Sequence, residues 1–184
     1  MDRDAVSAGV EPVGGLFSTA EIKILICYIL ASINEPVPGK KLADVLHYEG
    51  IANCFEVNDA ISSLLKSGQI AVYNEKEDTY SITESGKNIA ETLRTSLPYA
   101  VKDRAYTAAF KMVSQFKNAK DTEIKITHEN GKTYVNCSAL DGEVPFVSVK
   151  LLVTDDAQAA SIKEKFLNNP SKIYSGIIQL LTED

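Results

Sequence analysis

Apolar residues near the start of this chain recur at the period of a helix. Ile22, Leu25, Ile26, Ile29, Leu30 and Ile33 stand at i, i+3, i+4, i+7, i+8 and i+11, and so share one helical face. Ser18 and Glu21 have the spacing of a capping box, and Phe17 is placed to staple onto Ile22. A second flank carries Ile24, Cys27, Tyr28 and Ala31, so the helix is expected to be covered on more than one side, by its own domain and by a second subunit. Pro36, Pro38 and Gly39 then end it, since proline neither extends a helix nor tolerates helical geometry before it. Leu42, Val45 and Leu46 predict a short second helix, released at His47 to Gly50. A third is predicted from about Phe55, with Val57, Ile61, Leu64 and Leu65 inward and Gly68 as a left-handed cap.

The period then changes to two. Ile70 to Tyr73 and Thr79 to Ile82 alternate on either side of the charged run Asn74 to Asp78, which predicts a hairpin. Three helices followed by a hairpin predict a winged helix. Ser67-Gly68-Gln69-Ile70 before the hairpin, and Tyr80 to Gly86 after it, resemble the strand edges of winged-helix regulators of the PadR and MarR type. From about Phe17 onward the chain is similar to a bacterial winged-helix family of unknown function (domain of unknown function 4364). That resemblance implies an N-terminal winged helix joined to a C-terminal α/β domain, with no established activity.

Thr83 is read as the N-cap of a fourth helix, with Ile89, Leu93 and Leu97 inward as far as Pro98. From Tyr99 to about Lys120, Val101, Ala105, Ala108, Met112, Val113 and Phe116 keep helical spacing, which predicts a connector. Ile124 and Ile126, then Asn130-Gly131, then Val135 and Cys137 form a strong hairpin signal, because Asn-Gly accepts the positive φ angles of a type I′ turn. Val147, Val149, Leu151 and Val153 predict a third strand, and Ile162 and Phe166 the inner face of a helix opening at Thr154 to Asp156. Asn169-Pro170 opens a last helix with Ile173, Ile177, Leu180 and Leu181 inward. The expected fold is therefore α+β, with a leader over 1–16, a winged-helix domain over 17–97, a connector over 98–120 and a β-β-β-α-α domain over 121–184 for dimerisation or ligand sensing.

Composition narrows the chemistry. At 45% hydrophobic and 24% charged residues, the 184-residue chain reads as globular, and the apolar run Ile24 to Ala31 is too short to span a bilayer. The first residues lack the pattern of a secretory signal, so a cytoplasmic protein is expected. Cys27, Cys54 and Cys137 are odd in number and lack CxxC spacing, so they read as thiols rather than disulfides or zinc ligands. His47 with Cys54, and His128 with Cys137, lack standard metal-ligand spacing, and His47 as the base of a Cys54 nucleophile is outweighed by the commoner core thiol. Asp155-Asp156 opens a helix and Glu183-Asp184 ends the chain, and no phosphate-binding glycine motif is present. No enzyme, metal or cofactor is expected.

Nucleic acid remains. A winged helix commonly lays its third helix in the major groove and its wing along phosphates. Asn58, Ser62 and Ser63 are the candidates for base edges, and Lys40, Lys41, Lys66 and Lys76 for phosphates. The charge balance opposes them: up to Leu97 there are eight Lys and Arg against fourteen Asp and Glu, and eleven of each thereafter. Glu56 and Asp59 flank Asn58, and Glu75, Glu77 and Asp78 surround Lys76. The connector cations Lys102, Arg104, Lys111, Lys117 and Lys120 read as the wet face of a long helix. The leading expectation is a homodimeric regulator that binds double-stranded DNA and answers to a small-molecule effector, dimerising through the first helix or the Tyr99, Tyr106 and Phe110 flank. The alternative is a winged-helix adaptor whose acidic face binds a basic protein instead of DNA.

Overall fold

The computed structural model describes Leu16 and residues 18–183. The expected leader, Leu16 apart, and the Phe17 staple lie outside the described residues. Among the described residues, seven α-helices and two three-stranded antiparallel sheets make a mixed α+β structure, and the chain divides into two compact units, one up to Val113 and one from Ser114. No helix among the described residues is long and apolar enough to cross a membrane.

The first unit runs α1 (Thr19–Ile33), β1 (Val37–Pro38), α2 (Gly39–Tyr48), α3 (Cys54–Lys66), β2 (Ile70–Asn74), β3 (Thr79–Ile82), α4 (Glu84–Leu93) and the start of α5 (Tyr99–Lys120). Ser18 starts α1 as its sequence implies: its hydroxyl accepts from the Glu21 N–H at 3.2 Å while the Glu21 carboxylate accepts from the Ser18 N–H. Asn34 ends α1 in the left-handed region at φ 54°, two residues before Pro36. The chain then forms the short strand β1, absent from the sequence reading, which pairs Val37 with Tyr80 and gives the strand order β1-β3-β2. Leu16 donates its N–H to the Ile51 carbonyl at 2.9 Å, so this last leader residue is tied to the core.

Helix α3 ends in the geometry its glycine predicts. Gly68, at φ 69°, donates to the Leu65 carbonyl and Gln69 to the Leu64 carbonyl, which satisfies two carbonyls of the last turn. Val57, Ala60, Ile61 and Leu64 face inward from α3, joining Leu25, Ile26 and Ile29 of α1 and Leu42 and Leu46 of α2. The flank of α1 that was expected to bury a second subunit is largely covered by this unit, since Ile24, Tyr28 and Ala31 pack against the same core.

The second unit contains β4 (Thr122–Glu129), β5 (Lys132–Asp141), β6 (Val144–Val153), α6 (Asp156–Asn168) and α7 (Pro170–Thr182). Asn130 and Gly131, at φ 53° and 75°, make the predicted tight turn, and the sheet order is β4-β5-β6. Ile124, Cys137 and Val149 stand opposite one another, so the alternating apolar positions of all three strands fall on one face. There Val135, Cys137, Ala139 and Val153 meet Ala159 and Phe166 of α6. The other face is mixed: Lys150 pairs with Glu129 at 3.0 Å and Ser138 bonds Ser148 at 2.9 Å, beside Tyr134 and the exposed Leu152.

Three expectations are corrected. Helix α4 stops at Leu93 rather than near Leu97: Arg94–Ser96 tighten into a 3₁₀ turn and Leu97, preceding Pro98, is extended at ψ 138°. Leu97 is buried nonetheless, while Leu93 is exposed. In α5 the buried position is Ala109, not Ala108, because the inward stripe runs Val101, Ala105, Ala109, Met112. Leu180 and Leu181 of α7 are not inward at all, being 84% and 78% exposed.

Candidate nucleic-acid interface

The candidate residues fall in two groups that local structure holds differently. Lys40 and Lys41 lie in the first turn of α2, and Lys76 lies in the turn between β2 and β3. Asp78 joins these two turns. Its carbonyl accepts from the Gly39 N–H at 2.8 Å and its carboxylate from the Lys40 N–H at 3.0 Å, so it caps the start of α2, where Pro38 offers no side-chain cap. The other carboxylate oxygen accepts from the Tyr80 hydroxyl at 2.5 Å. That bond, with partial burial and the Asp78 charge, pushes the Tyr80 hydroxyl from its ordinary 10.0 up to about 12. The turn bearing Lys76 and the turn bearing Lys40 are thus fastened together, with the lysines exposed.

The second group is the outer side of α3. Phe55, Asn58, Asp59, Ser62 and Lys66 stand at i, i+3, i+4, i+7 and i+11 and all are exposed, so they form one face. Asn53 accepts from the Phe55 N–H at 2.9 Å and Glu56 reaches back to the Asn53 N–H at 3.3 Å, completing a capping box. Glu56 is therefore half-buried in a structural role rather than facing outward beside Asn58. Ser62 donates its hydroxyl to the Asn58 carbonyl at 3.0 Å, which leaves its oxygen free to accept. Ser63 is half-buried on the flank of this face.

The far end of α3 is locked to α4. The Thr83 hydroxyl reaches the Gly68 and Gln69 carbonyls at 2.8 and 2.9 Å and accepts from the Gly86 N–H at 3.2 Å. A Cβ at Gly86 would overlap the Gln69 carbonyl oxygen, so only glycine allows this approach. Helix α3 is thereby held at both ends while its outer face stays open.

Two features of this surface were missed in the sequence. Tyr48 and Phe55, at the end of α2 and the start of α3, are 87% and 76% exposed. Phe55 had a signal, as an apolar residue off the Val57-Ile61-Leu64 stripe. Asp78 had none beyond its membership of an acidic turn, because its partners Gly39 and Lys40 are far away in sequence.

Elsewhere the reactive groups are quiet. Burial pushes the Cys27 thiol up to about 11 and raises that of Cys137, so both are held neutral. His128 bonds the Thr133 hydroxyl at 3.0 Å while Cys137 stands opposite Ile124, so the two lie four register positions apart. Among the described residues no three His, Cys, Asp or Glu side chains gather as a metal site would require.

A family described as a domain of unknown function (DUF4364) has a model that matches residues 22–181. No curated protein and no solved structure matches the chain.

Proposed function

We propose that this chain, which belongs to the DUF4364 family of unknown function, is a winged-helix regulator whose N-terminal unit binds duplex DNA. The observation that carries this reading is the outer face of α3, a capped helix presenting Asn58, Ser62 and Lys66 in one line next to a β2–β3 hairpin. The order α1-β1-α2-α3-β2-β3, with strand order β1-β3-β2, supports the winged-helix assignment. In this reading α3 enters the major groove, where Asn58 and Ser62 meet base edges. Lys40, Lys41 and Lys76, on the two turns fastened by Asp78, meet the phosphate track, and Lys66 adds a contact from α3. Ser63 is a lesser candidate, since it is half-buried.

The test is a fluorescence-anisotropy titration of the full chain against genomic duplexes, its own upstream region included, at low and physiological salt. Saturable binding, one preferred fragment and a steep salt slope are expected. Removing Lys40, Lys66 or Lys76 each lowers that slope by about 0.9. No binding at low salt sinks the reading.

A second reading has its own support. Tyr48, at the end of α2, and Phe55, in the first turn of α3, are large exposed aromatics in a half of the chain with a net charge of −6. Exposed aromatics in acidic surroundings suit a basic protein partner better than a phosphate backbone. Loss of a captured basic partner in Phe55→Ala, with no DNA binding by the unaltered chain, would decide for the adaptor.

A further inference from the structure

The apolar face of α7 goes uncovered. Tyr174, Ile178 and Leu181 stand at i, i+4 and i+7 and form one line along the helix, while Leu180 lies about 100° round from Leu181, on the side of Ile173 and Ile177. All four are exposed, Leu180 and Leu181 to 84% and 78%. The line continues onto β6, because Phe146 packs edge-on against Tyr174 with ring centroids 5.3 Å apart and Val144 beyond it is also exposed. Lys172 and Gln179 are turned to the other side of the helix, and Lys172 is its single charged residue from Pro170 to Thr182.

We propose that this face, α7 with the start of β6, is where two copies of the chain pair. Three observations select a second copy as the occupant. Val144, Phe146, Tyr174, Ile178 and Leu181 together expose on the order of 500 Å² per copy, so a symmetric pair would remove about 1,000 Å² from water, the least that a specific interface needs. A twofold arrangement sets the same apolar line against itself in both directions, and no charge on that line has to be desolvated. The unit that carries α7, residues 114–184, has eight basic and ten acidic side chains, a net of −2, whereas residues 1–113 have eleven and fifteen, a net of −4. Two copies are therefore repelled less through the second unit than through the first. The proposal is independent of whether the N-terminal unit binds DNA.

The experiment is sedimentation equilibrium of the full chain, whose single-chain mass is 20.0 kDa. The unaltered protein is expected at twice that mass. Leu181→Glu is expected at the single-chain mass with its far-ultraviolet circular dichroism unchanged, because the side chain is already in solvent. Phe110→Glu, which alters an exposed aromatic on α5, is expected to stay paired. Should Leu181→Glu unfold, the milder Leu180→Ala/Leu181→Ala chain is expected to dissociate at least tenfold more readily. A single-chain mass for the unaltered protein overturns the proposal. So does a Leu181→Glu chain that stays folded and paired, a double-alanine chain that pairs as tightly as the original, or separation by Phe110→Glu.

Discussion

The two units of this chain spend similar apolar patterns in opposite ways. In the first, helical stripes from α1, α2, α3 and α5 converge, and the largest fully buried side chains among the described residues are all there, Leu25, Ile29, Leu46 and Leu64 among them. In the second, the buried set is Val135, Cys137, Ala139, Val153, Ala159 and Phe166, in which Phe166 is the one large side chain. The last helix of that unit has a broad apolar arc yet buries only Pro170 fully. A periodic stripe thus specifies a face that wants cover. It does not specify whether its own chain supplies that cover.

The sharpest way to probe this difference is to remove Phe166. Phe166→Ala is expected to cost about 3–5 kcal/mol, since it deletes the largest buried side chain from a small core. Hydrogen exchange read by mass spectrometry should show β4, β5, β6 and α6 losing protection while α1, α2 and α3 keep theirs. Equal loss in both units would mean that they unfold as one, and the contrast between two separate cores would fail.

Glycines make a second contrast, with opposite signs. At Gly86 a new Cβ meets the Gln69 carbonyl oxygen and the end of Ile82, and the backbone oxygen cannot step aside. Gly86→Ala is expected to cost about 1–3 kcal/mol in the first unit. At Gly176, inside α7, a Cβ meets nothing within 4 Å, so Gly176→Ala is expected to stabilise the second unit by about 0.5–1 kcal/mol. Urea midpoints of the two variants should move in opposite directions, and a shared direction would contradict the difference in crowding.

What the sequence made legible follows from the range of the forces involved. Caps and turns are local, and so Ser18 with Glu21, Gly68, Thr83 and Asn130-Gly131 all declared themselves. Strand register in the second sheet was legible for the same reason, as period two and one tight turn set it. The strand β1 was not, because two residues carry no period and its partner Tyr80 is remote in sequence. Leu180 and Leu181 misled because periodicity reports an apolar face and not its neighbour. The candidate interface divided along the same line: the exposed row on α3 was readable, whereas the fastening of two turns by Asp78 required tertiary structure.

The smallest expected effects are those of pH, and they too separate the units. In the second unit the Asp155 carboxylate caps α6, accepting from the Gln158 N–H at 2.7 Å and from the Thr154 hydroxyl, which lowers its pKa below the ordinary 3.8. Its contribution is present above the ordinary value and is lost as pH falls through the lowered one. In the first unit Tyr80 is held up to about 12 by its bond to Asp78, so its contribution is complete below 10 and is lost as pH rises toward 12. Acid therefore loosens α6 and alkali loosens the fastening between α2 and the β2–β3 turn. Asp155→Asn keeps a capping oxygen without a titrating group and should flatten the acid side of the urea-midpoint profile. Tyr80→Phe keeps the ring that packs on Gly39 and should flatten the alkaline side, with one tyrosine fewer ionising late in absorbance at high pH. An alkaline loss of the same size in Tyr80→Phe would place the sensitive group elsewhere and leave Asp78 as a cap of α2 alone.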